Sequence, residues 1–100
     1  MGDYFHAQGK EQRAVQHYSD AITVLSEVLG EDHLEVALMM ERLAEVRRSQ
    51  QHYVESVNLY RRAIPMLESQ LGPNDERVRS SVVAYKRLRN EAKAHVLMLK

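Results

Sequence analysis

The chain carries one stretch twice. Residues 51–72, QHYVESVNLYRRAIPMLESQLG, lie over residues 9–30, GKEQRAVQHYSDAITVLSEVLG, without a gap and at an offset of 42 residues. Seven pairs are identical: Val15/Val57, Tyr18/Tyr60, Ala21/Ala63, Ile22/Ile64, Leu25/Leu67, Leu29/Leu71 and Gly30/Gly72. Apart from the closing glycine, these positions step by one, three or four, which sets them along one face of a helix. The positions that differ are mostly polar and fall on the opposite face. A buried stripe that recurs together with its stop signal is how a stacked helical repeat shows in sequence.

The breakers divide the rest. Residues 1–8 read as the tail of a helix closed by Gln8-Gly9, and residues 10–29 as one amphipathic helix that Gly30 ends in a left-handed cap. Glu31-Asp32-His33 connects, with Asp32 or His33 near the next N-cap. Residues 34–50 form a second helix carrying Val36, Met39, Met40, Leu43, Ala44 and Val46, and residues 49–52 a turn without glycine. The recurring stripe then runs to Leu71 and stops at Gly72-Pro73. Pro65 stands inside it, where the first copy has Thr23, and predicts a kink costing about 3 kcal/mol unless compensated. From residue 75 or 76 to the end, Val78, Val82, Tyr85, Leu88, Ala92, Val96 and Leu99 keep helical spacing. That last helix reads as a cap over the preceding hairpin.

The small–aromatic–small patterns Ala14-Tyr18-Ala21 and Ser56-Tyr60-Ala63 resemble the tetratricopeptide repeat. Leu43-Ala44 meets the family's pattern on the first helix of a unit, and Met1-Gly2 meets it less well. The 42-residue unit and the linkers LGEDHLEV and LGPNDERV are similar to the longer variant found in kinesin light chains. The extra eight residues add about one turn to each helix, so the packing face is kept. The resemblance implies an all-α fold: antiparallel helical hairpins stacked as a short solenoid with a long C-terminal capping helix. Residues 1–30 are then a partial first unit, 34–72 a full second unit and 75–100 the terminal helix.

It also implies a concave wall lined by first helices. Carried over by alignment, that wall shows Leu38, Glu41, Arg42, Glu45 and Arg48, then Val83, Arg87 and Asn90, with Asp3 and His6 from the truncated N-terminal helix. The pair of asparagines that holds peptide backbone in relatives is Glu41-Arg42 here, and Val83-Ala84 in the last unit. A wall of mixed charge with two apolar spots suits a short peptide or helix bearing acidic and apolar groups.

Composition excludes several classes. There is no cysteine, hence no disulfide framework or thiolate metal site. No apolar run approaches the roughly 20 residues of a membrane span. Net charge is zero, and a single aromatic residue, Tyr85, stands among the C-terminal basic residues, so nucleic acid is not an expected partner. Within that zero, residues 1–75 carry −5 and residues 76–100 carry +5, an asymmetry that suits an acidic ligand or head-to-tail packing. No phosphate loop, nucleophile elbow or HExxH motif occurs, and the five histidines form no i, i+3 or i, i+4 pair. Glu41 and Glu45 stand one turn apart, but the nearby Arg42, Arg47 and Arg48 make them a solvated charged face before an acid–base pair. Met39, Met40, Met66 and Met98 read as core fillers or as an adaptable binding surface.

The expectation is thus a non-enzymatic, cofactor-free interaction scaffold whose partner is a protein or peptide, with cytoplasmic residence. The alternative is an assembly segment, because about one and a half units plus a cap fall short of the three or so that arrays need. The core is then completed by a parent array or a homo-oligomer, through bare helix ends such as the apolar residues 95–99.

Overall fold

The computed structural model describes the backbone of residues 2–99 and the side chains of residues 9–99. Four helices account for nearly all of it: α1 Gly2–Leu29, α2 Leu34–Ser49, α3 Tyr53–Leu71 and α4 Glu76–Met98. Each packs on its neighbour in sequence, α1 on α2, α2 on α3 and α3 on α4. This is the all-α stack of helical hairpins that the periodicity predicts.

Local chemistry sets most of the boundaries. The His33 ring accepts the Glu35 N–H at 3.1 Å through Nδ1 and caps α2, while the Asp75 carboxylate accepts the Arg77 N–H at 2.9 Å and caps α4. Gly30 and Gly72 end α1 and α3 at φ 95° and 90°, where a side chain would be strained. The α2–α3 turn reaches a positive φ without glycine. Gln51 sits at φ 63°, its N–H donates to the Arg48 carbonyl, and the His52 N–H reaches back to Arg47 at 2.8 Å. That pair of bonds is a Schellman closure.

One predicted break is absent. Gln8-Gly9 does not close a helix: α1 runs from Gly2 to Leu29 as one element. Gly9 is the repeat equivalent of Gln51, yet the residue better suited to a left-handed turn lies in a straight helix. The difference is tertiary. At Gln51 a 16-residue α2 folds back onto α3 and buries its stripe. Continuing α1 through Gly9 keeps the helical backbone bonds there, at roughly 0.5–1 kcal/mol of glycine penalty.

The core lies between α2 and α3, closed by α4. Val36, Ala37 and Met40 meet Ala63, Met66, Leu67 and Val78, and Ile22 and Leu25 of α1 pack on that cluster from outside. A second cluster joins Ala44, Tyr60 and Leu88. Each large side chain fully buried here contributes about 1.5–3 kcal/mol. Ser56 is fully buried, and its hydroxyl donates to the Ala44 carbonyl at 2.6 Å. Met40 and Met66 are core residues, whereas Met98 is 85% exposed.

The two copies of the stripe do not fare alike. Tyr60 and Leu67 are buried, while Tyr18 and Leu25 are half-buried and no described residue of α1 is fully buried. α3 is packed between α2 and α4, whereas α1 packs chiefly on α2. The stripe of α4 is buried at Val78 and Leu88, then leaves the body, with Val96, Leu97, Met98 and Leu99 exposed. α3 passes through Pro65 as a single helix, and the ring faces solvent, where water can serve the carbonyl left without a donor.

Candidate interaction cleft

α2 and α4 stand side by side above the core they share through Val78 and Leu88, and the space left between them is a cleft of about 480 Å³. Its walls are Glu41, Arg42, Glu45 and Val46 of α2 against Ser80, Ser81 and Ala84 of α4, over Tyr18 and Tyr60. Further along the same helices a second cleft of about 300 Å³ is lined by Glu45, Arg48, Ala84, Arg87, Leu88 and Glu91. Helical spacing explains the set: 41, 45 and 48 share one face of α2, as 80, 84, 87 and 91 share one face of α4.

The carboxylates in these walls already have donors. The Tyr60 hydroxyl donates to one oxygen of Glu45 at 2.8 Å, and Arg48 Nε donates to the other at 2.8 Å. Arg48 also reaches Glu91 across the cleft at 3.4 Å, tying α2 to α4. Glu41 is paired with the Ser81 hydroxyl. Burial pushes the Glu41 carboxyl above its ordinary value; Ser81 and Arg77 oppose this and Glu45 adds to it. Ser81 is also 2.9 Å from the Arg77 carbonyl, and one hydroxyl proton cannot serve both acceptors. Burial, then the bond to Glu45, holds the Tyr60 phenol well above its ordinary range.

Two cations in the walls remain uncommitted. Arg42 and Arg87 are exposed and have no ion pair among the described residues, in contrast to Arg48. The structure thus brings together Glu41, Arg42 and Glu45 in one cleft, and Glu45, Arg48 and Arg87 in the next. It does not bring in the others: Leu38 packs half-buried against the core, and Val83 and Asn90 lie exposed on α4 and line neither cleft. Asp3 and His6 lie outside the residues whose side chains are described. Sequence reasoning missed Ser81, Glu91 and the two tyrosines as cleft residues. The Tyr18/Tyr60 identity was a signal, spent wholly on packing.

The four histidines whose side chains are described are occupied locally. His33 caps α2, His52 lies 3.9 Å from Glu55, His17 meets Tyr18 edge-on, and the His95 ring packs on Tyr53 at 5.1 Å. No cluster of three metal-ligating side chains occurs among the described residues. No described helix is long and apolar enough to cross a membrane.

The sequence model described as Tetratricopeptide repeat matches residues 1–69. The chain belongs to the tetratricopeptide repeat family. A search of curated proteins gave no match. A tetratricopeptide domain is generally a protein–protein interaction module and typically non-catalytic, and the four helices pack as adjacent pairs in keeping with its hairpins.

Proposed function

We propose that the chain is an interaction scaffold that holds a peptide or protein segment along the α2–α4 wall. The observation that supports this is the division of charge there. Glu41, Glu45 and Glu91 are satisfied by Ser81, Tyr60 and Arg48, while Arg42 and Arg87 keep free guanidinium heads. A ligand carboxylate would gain a charge-assisted, two-point bond at either arginine without displacing an internal partner. Val46 and Ala84 give an apolar bed between them. The partner segment therefore carries acidic and apolar side chains, as the mixed wall suggests. We also assign the unit to the 42-residue variant that resembles kinesin light chains, supported by Gly30 and Gly72 taking closely similar positive φ values one unit apart.

An NMR titration of the labelled chain with a short peptide of alternating Glu and Leu tests the binding surface. Side-chain signals of Arg42, Arg48 and Arg87 should shift, and Arg42→Glu with Arg87→Glu should abolish the response. Shifts confined to the two ends of the chain would overturn the reading.

A further inference from the structure

We infer that α4 of one copy docks on α1 of a second copy, in the place that α2 takes on α3, so that chains associate head to tail. The starting point is a bare stripe on α1. Ala14, His17, Ala21, Val24 and Val28 recur every three or four residues, with Val24 56% and Val28 73% exposed. One unit later the same positions are Ser56, Leu59, Ala63, Met66 and Gln70, and the first four are buried or half-buried in the packed centre of the stack. By the chain's own repeat, the stripe on α1 is a seat for a first helix. α4 packs on α3 and reaches α2 through Glu41–Ser81 and Arg48–Glu91, while Arg79, Lys86 and Arg89, the equivalents of Ala37, Ala44 and Arg47 that α2 turns to α3, are exposed.

Charge matches the two surfaces. Residues 14–29 of α1 carry Asp20 and Glu27 and no Lys or Arg, and the stretch of α4 set against them, 77–88, carries Arg77, Arg79, Lys86 and Arg87 and no acid. Complementary fields of this kind select the partner and its orientation. The register comes from contacts inside one chain. Ser56 bonds to Ala44, and Arg47 pairs with Glu55 at 2.9 Å. Moved by one unit, these place Lys86 beside Ala14 and Arg89 beside Arg13 of the second copy. Continued along the antiparallel pair, the register brings Arg79 to the stretch between Asp20 and Glu27. At the other end it lays the exposed residues 96–99 alongside residues 3–6, where the sequence has Tyr4 and Phe5. Both helices run straight past the position where a hairpin would turn, so each has the length this pairing uses. The contact joins unlike surfaces and does not close on itself, so it continues from copy to copy.

Sedimentation equilibrium of the intact chain over a range of concentrations tests this independently of any groove ligand. The weight-average mass should climb above 11.6 kDa without levelling at two copies, and less so in high salt. Asp20→Lys and Arg79→Glu should each weaken association about tenfold, and the double variant should recover it. Arg13→Glu, which rebuilds across the contact the pair made by Arg47 and Glu55, should tighten it several-fold. These side chains are exposed, so the variants fold, and circular dichroism checks that they do. A mass of 11.6 kDa at every concentration, a plateau at two copies, or a double variant no better than the singles would overturn the proposal.

Discussion

Exchanging the residues at the two equivalent hinge positions gives opposite tests of where this chain turns. Gln51 holds a left-handed φ of 63°, which costs a residue with a Cβ roughly 1–2 kcal/mol. Its side chain is exposed and makes no hydrogen bond among the described residues, so Gln51→Gly removes the strain without breaking a contact. Glycine also loosens the unfolded chain, which takes back about 0.4–1 kcal/mol. The net expectation is a gain of about 0.5–1 kcal/mol. Gly9 lies inside α1 with nothing within 4 Å of an added Cβ, so Gly9→Ala should also stabilise, by about 0.5–1 kcal/mol of helix propensity. At this chain length 1 kcal/mol moves Tm by about 4–8 °C, which a thermal melt followed by circular dichroism resolves. If Gly9→Ala lowered Tm while Gln51→Gly raised it, the first position would be a turn like the second, and the continuous α1 would be wrong.

Further consequences concern the centre of the stack. Ser56→Ala should cost about 1 kcal/mol in urea unfolding, since it deletes a fully buried 2.6 Å bond that ties α3 to α2. Glu41 has a folded-state pKa raised above its unfolded value, so its contribution is fully present below the unfolded pKa and is lost as pH rises through the folded one. Stability should therefore decline upward from about pH 4.3 through this group. Glu41→Gln, which keeps an acceptor for the Ser81 hydroxyl and removes the titrating charge, should flatten that part of the profile and leave the variant the more stable of the two at neutral pH. A profile unchanged by the substitution would remove Glu41 as its source.

The sequence revealed most where one helix face decides the outcome. Val36, Met40, Leu43, Tyr60, Ala63, Leu67, Val78 and Leu88 all follow from helical spacing, and all are buried. The stops at Gly30 and Gly72 were equally plain, because a left-handed cap has few residue choices. Gly9 misled because the same local signal needs a partner helix to fold back on, and sequence spacing says nothing of that partner's length. Gln51 shows the reverse, a left-handed residue that tertiary packing imposes against preference. The cleft was legible only in part. Spacing put Glu41, Arg42, Glu45 and Arg48 on one face, but it could not show that Arg48 would be spent on Glu45 and Glu91, or that Ser81 would meet Glu41. Those pairings depend on how α4 lies across α2, which no pattern within a single helix encodes.

The account rests on one buried unit joined to one half-covered copy of itself, and a matched pair of truncations measures that difference directly. Leu67 is wholly buried and Leu25, its repeat equivalent, is half-buried against the same cluster. Urea unfolding at a concentration low enough to keep the chain monomeric should show Leu67→Ala losing about 2–5 kcal/mol, and Leu25→Ala less than half as much. Equal losses, or a larger loss at Leu25, would mean that α1 is as enclosed as α3 and would contradict the stack described above.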